Sequence, residues 1–107
     1  MNLKEVQDWE KKFYEGRGWK DLPPYIRVGF LIEEIGEVSQ AVRAYEIGRD
    51  HPNERSMTKE EIKQNLSEEL GDVLSNVAIL ADLYHLSLED IVMAHRNKLT
   101  KRYQEQG

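Results

Sequence analysis

Apolar residues recur along this chain at helical spacing, and no stretch alternates as a strand would. Two groups of helix breakers divide the pattern: Gly16, Gly18, Pro23 and Pro24, then Gly48 to Pro52. This predicts four helices. The first runs from about Asn2 to Tyr14, with Leu3, Val6, Trp9 or Glu10, and Phe13 on one side. The second starts near Pro24, a residue suited to a first helical position, and ends before Gly48, placed as a C′ residue. Its apolar stripe is Val28, Leu31, Ile32, Ile35, Val38, Val42 and Tyr45. The third opens at Thr58-Lys-Glu-Glu61, a capping-box pattern, and runs to about His85. The fourth opens at a second box, Ser87-Leu-Glu-Asp90, and runs to the tail. So short a link predicts that helices three and four turn back on each other. Arg49 to Met57 reads as a polar, mobile loop.

Helices two and three are each roughly 25 residues, or about 37 Å long. The end of helix three, Val73 to Leu83, is apolar on nearly every side, and such a helix is buried on every side. Four helices from one short chain bury it poorly. The expected fold is therefore all-α, a bundle of about four helices completed by oligomerisation, as a dimer or tetramer. A length of 107 residues predicts a single domain, residues 1–107.

Composition then narrows the chemistry. There is no cysteine, which excludes disulfides, thiolate zinc sites, iron–sulfur clusters and a cysteine nucleophile. No apolar run approaches the ~18 residues that cross a bilayer. Met1 to Lys12 carries Glu5, Asp8 and Glu10 and has no apolar core of a signal peptide, so the expected location is cytoplasmic. A net charge of -5 argues against binding a nucleic-acid polymer through its backbone. An acidic protein can still take a phosphorylated small molecule if a divalent cation neutralises the phosphates.

A near-repeat supplies candidates for that cation. Glu33-Glu34-Ile35-Gly36-Glu37 falls in helix two and Glu68-Glu69-Leu70-Gly71-Asp72 in helix three. Each has acids at i, i+1 and i+4 and a glycine inside a helix. An interior glycine costs about 1 kcal/mol relative to alanine. Two at matching places suggest a close helix approach that brings the acids together. At roughly 100° per residue, Glu34 and Glu37 lie about 60° apart, as do Glu69 and Asp72, with Phe30 between the first two. Asn65, Glu69, Asp72 and Asn76 form one polar stripe that continues into Ile79 and Leu83, so it points toward protein. Inward carboxylates repel each other and are costly to desolvate, and a hard divalent cation relieves both costs. All-oxygen ligands favour Mg²⁺, with Mn²⁺ as a substitute, over zinc. The plainer alternative is a solvated acidic face, the usual fate of one such motif. A di-iron site is disfavoured, because none of His51, His85 and His95 sits three residues after a Glu.

Glu33, Glu34 and Glu37, followed after a linker by Glu69 and Asp72, resemble the signature of the MazG-like, all-α nucleoside triphosphate pyrophosphohydrolases. Phe13-Tyr-Glu-Gly-Arg-Gly-Trp19 looks like the lead-in of the dCTP-cleaving branch, and Ser-Leu-Glu-Asp…Lys-Arg-Tyr103 is also similar. The resemblance covers most of the chain. It implies Mg²⁺-dependent hydrolysis of a nucleoside triphosphate, with deoxynucleotides among the candidates, between the α- and β-phosphates, giving a monophosphate and pyrophosphate. It implies that Glu34, Glu37, Glu69 and Asp72 hold Mg²⁺ and that Glu33 holds or activates the attacking water. The chain offers no protein nucleophile of the usual kinds, which agrees with attack by water. Phosphoribosyl-ATP pyrophosphatase is a neighbouring alternative, and a non-catalytic helical module for nucleotide binding or dimerisation is a second. Retention of all five acids argues against the latter. In many relatives a Lys and an Asn on helix four contact phosphates. Gapless alignment puts His95 and Leu99 there, and a shift offers Asn97 and Lys98, or Lys98 and Arg102. Asn76 stands where a relative carries an aromatic.

The remaining candidates each have two readings. Trp19 stacks on a base with Arg17 on a phosphate, or anchors helix one. Trp9 reads as core. His95 titrates in use or is a plain surface histidine. Lys98, Lys101 and Arg102 complement the helix dipole, or draw in the triphosphate at a neighbouring subunit's site.

Overall fold

The computed structural model describes residues 1–48 and 57–104. They form four helices: α1 Leu3–Gly16, α2 Pro24–Glu46, α3 Lys59–Leu83 and α4 Leu88–Gln104. No strand occurs among the described residues. Of the expected loop from Arg49 to Met57, residues 49–56, with His51, lie outside them, and Met57 is not helical.

The helix ends follow from particular residues. Asn2 caps α1, its Oδ1 accepting from the Glu5 backbone N–H at 2.8 Å. Thr58 caps α3 reciprocally: its hydroxyl accepts from Glu61 N–H at 3.1 Å, and the Glu61 carboxylate accepts from Thr58 N–H at 3.3 Å. The Ser87 hydroxyl accepts from Asp90 N–H at 3.0 Å and starts α4. At the other ends the chain turns left-handed. Gly18 (φ 72°) closes α1, with Trp19 N–H bonded to the Tyr14 carbonyl. His85 (φ 57°) closes α3 in the same way, with Leu86 N–H bonded to the Ala81 carbonyl. Gly48 (φ 94°) follows α2.

The chain divides into two compact units. The first comprises Met1–Pro24 and Ala78–Gly107, so it holds α1, α4 and the end of α3. Here α1 packs on α4. Its inward residue is Gln7, which is buried and bridges two backbone groups: its amide donates to the Leu86 carbonyl and its oxygen accepts from Leu88 N–H, both at 2.9 Å. The sequence expectation put Trp9 in the core, and the structure corrects it. Trp9 is 60 % exposed and stacks on Phe13 at 5.2 Å. The buried side of α1 is rotated toward Val6, Gln7 and Tyr14 because a polar contact with the start of α4 outranks the apolar stripe. Lys20 pairs with Asp82 at 2.8 Å, and that hydrogen bond holds the ammonium's pKa above its ordinary value.

The second unit is Tyr25–Val77, containing α2 and most of α3. The inward face of α2 is Arg27, Leu31, Glu34, Val38, Ala41 and Tyr45, all buried or half-buried. Val28, Ile32, Ile35 and Val42, expected in one stripe with them, form a separate outward face. On α3, Ile62, Asn65, Leu66, Glu69, Val73 and Asn76 turn inward, while Leu70 and Leu74 are exposed. The expectation about glycine is also corrected. A Cβ built at Gly36 or Gly71 meets nothing within 4 Å, so neither glycine marks a close approach of helices within this chain.

Candidate functional site

Within the second unit the two acidic motifs meet. Carboxylate oxygens of Glu34, Glu37, Glu69 and Asp72 all lie within 4.8 Å of one another. Glu34 and Glu69 sit near the middle of the inward faces of α2 and α3. Glu37 and Asp72, each three residues on, lie at their edges and are exposed. The near-repeat in sequence thus becomes two matched pairs.

The cluster is electrostatically unbalanced. A hydrogen bond with Glu37, then burial, then the charges of Glu37, Asp72 and Glu34 push the Glu69 carboxyl up to about 7. Burial, followed by the charges of Glu37 and Asp72, raises the Glu34 carboxyl. One oxygen of each, Oε2, is buried without a hydrogen-bond partner. Orphaned buried carboxylate oxygens are costly, and a hard cation is the partner their chemistry suits. The four residues therefore fit a divalent metal ion. Glu33 is exposed, lies outside the group of four, and contributes to the rise at Glu34.

Beside the acids, sequence reasoning missed Arg27. It is 4 % exposed and donates from Nη1 to Asn76 Oδ1 at 3.1 Å. Its guanidinium lies over Phe30, 5.4 Å from the ring centre. Asn76 also donates to the Asp72 carbonyl at 2.9 Å. Both ends of the Asn76 amide are thus engaged inside the protein, and Asn76 links Arg27 to the backbone of a site acid. The signal was available: Arg27 lies seven residues before Glu34, and Asn76 lies four after Asp72, on the same faces.

The other predicted residues belong to the first unit. Arg17 rests over Phe13 at 5.1 Å and Trp19 at 5.7 Å. Trp19 packs edge-on against Tyr14 at 5.8 Å and Phe13 at 6.2 Å, beside the turn that ends α1. This geometry anchors the turn and leaves the indole 48 % exposed. His95, Lys98 and Arg102 are exposed along one face of α4.

The described residues thus form a helical protein whose paired Glu-x-x-Glu and Glu-x-x-Asp motifs converge on one carboxylate-rich point. Residues 27–106 match the MazG nucleotide pyrophosphohydrolase domain, and the chain belongs to that family. It is also 58 % identical over 104 residues to a Bacillus subtilis (strain 168) protein called Uncharacterized protein YvdC, covering 97 % of this chain and 98 % of that one. The activity that describes the family is nucleotide pyrophosphohydrolysis. No described helix is long and apolar enough to cross a membrane.

Proposed function

We propose that this protein hydrolyses a nucleoside triphosphate, with deoxynucleotides among the candidate substrates, in a Mg²⁺-dependent reaction between the α- and β-phosphates. The observation that carries this reading is the convergence of four carboxylates with two orphaned buried oxygens. Glu34, Glu37, Glu69 and Asp72 hold the cation. Mg²⁺ supplies charge neutralisation of the phosphates and of the transition state. Glu33, exposed beside the group, accepts a proton from the attacking water. The water oxygen bonds to phosphorus, the bridging phosphorus–oxygen bond breaks, and monophosphate and pyrophosphate result. Arg27 and Asn76 position Asp72. On the outer surface, Arg17, Trp19, His95, Lys98 and Arg102 are candidate contacts for the nucleotide.

The family match spans parts of both units, and we take residues 1–107 to act as one domain in the cytoplasm. We further propose a homo-oligomer. Among the described residues, only Ala41, Ile62, Ala78, Ile79 and Ala81 are buried apolar side chains. Ile32 (64 % exposed) and Leu74 (66 %) show how much apolar surface one chain leaves uncovered, and a second copy of the same faces covers it.

The test is product analysis over a panel of ribo- and deoxynucleoside triphosphates, with Mg²⁺ and with chelator. Monophosphate and pyrophosphate in equal amounts, only with metal, are expected. Release of inorganic phosphate alone, or no turnover of any nucleotide, would overturn the reading.

A further inference from the structure

A cavity of about 290 Å³ opens in the second unit on one side of the acids. That is near the lower end of the range for small-molecule sites. Glu37 and Glu69 form its edge, and Ala41, Ala44 and Ile62 line it with small or apolar surface. Met57 and two neutral polar side chains, Gln40 from α2 and Asn65 from α3, complete it. Among the described residues neither amide has a hydrogen-bond partner.

The arrangement has a direction. Gln40 follows Glu37 by three residues, and Asn65 precedes Glu69 by four. On each of two antiparallel helices an amide therefore stands about one turn, about 5.4 Å, beyond a carboxylate, on the same side. The cavity is thus charged where it adjoins the acids and neutral farther in. A phosphate chain belongs at the charged edge with its cation. The neutral end, where two amides that each offer a donor and an acceptor stand beside small and apolar side chains, suits a heterocycle with a polar edge. Alanine at 41 and 44 is what leaves the space open.

We propose that this cavity takes the nucleobase of the substrate, and that Gln40 and Asn65 are specificity-determining residues that read its hydrogen-bonding edge. The inference rests on the reading of the acids as the triphosphate site. A site built to bond a polar edge discriminates strongly against ligands that leave its groups unpaired.

The experiment compares kcat/KM for triphosphates carrying each of the common bases, in ribo and deoxy form, for wild type, Gln40→Met, Asn65→Leu and Ala44→Phe. Lys63→Ala, exposed on α3, is the control. Circular dichroism confirms that each variant is folded, and Gln40 is exposed enough that its replacement leaves packing intact. Wild type should prefer one base, and Gln40→Met or Asn65→Leu should compress that preference by about tenfold or more. Ala44→Phe should raise KM for every nucleotide, and Lys63→Ala should keep the wild-type ratios. Base ratios unchanged in the two amide variants, a wild type indifferent to base, or a change confined to the ribo-to-deoxy ratio would each overturn the inference alone. A wild type inert to every nucleotide would overturn the site reading and this inference together.

Discussion

Glu69 concentrates the site's electrostatics in one side chain. Its ordinary pKa is 4.5, and in the folded, metal-free protein it stands at about 7. Between those values the native state binds more protons than the unfolded chain, so its stability falls as pH rises. Metal-free protein should therefore lose melting temperature between pH 5 and pH 8, and Glu69→Gln should lose less over the same span. Mg²⁺ should restore the wild type at pH 8, since the cation takes over the proton's role. Thermal melts at both pH values, with and without Mg²⁺, check this; equal slopes for wild type and Glu69→Gln would contradict it. The acids were legible at this scale because their type and spacing carry the chemistry. Arg27 was legible only in its face: its spacing from Glu34 puts it on the side of the acids, but its burial depends on Asn76, 49 positions away.

At the scale of the helices, the ends were legible and the faces only partly so. Asn2, Thr58, Ser87 and Gly48 act through bonds to residues a few positions away, so local sequence specifies them. Which side of α1 turns inward depends instead on Gln7 meeting Leu86 and Leu88, some 80 positions on. The apolar positions of α2 split into two faces, and spacing alone merged them. The glycine argument failed for a related reason: Gly36 and Gly71 face open space, and only the partner of that face could say what they allow. Gln7→Met keeps the volume and removes both hydrogen bonds at the start of α4. It should destabilise the protein by about 1–3 kcal/mol, measured by urea denaturation. A change within ±0.5 kcal/mol would show that the bridge is incidental.

For the whole molecule, the proposed assembly rests on the surplus of exposed apolar surface. Sedimentation at micromolar concentration should give a species at least twice the 12.5 kDa of one chain. Ile32→Glu and Leu74→Glu, each placing a charge on an exposed apolar face, should shift it toward the single chain. A monomeric wild type would sink this part of the account. Four helices and their order were readable from breakers and caps. The expectation that one chain leaves the stretch from Val73 to Leu83 bare is corrected: only Leu74 in it is exposed, and the proposed assembly rests instead on Leu74 and the outward face of α2.

In the proposed site Glu34, Glu37, Glu69 and Asp72 hold one cation and Glu33 stands beside it. Titration of the protein with Mn²⁺, followed by electron paramagnetic resonance, reads that site without reference to any substrate. Wild type should bind Mn²⁺, and Mg²⁺ should compete it away. Asp72→Asn and Glu69→Gln should weaken binding at least about tenfold through loss of a charged ligand. Glu33→Gln should bind as the wild type does, although its turnover is lost. Mn²⁺ binding unchanged in Asp72→Asn and Glu69→Gln, or abolished in Glu33→Gln alone, would contradict the account.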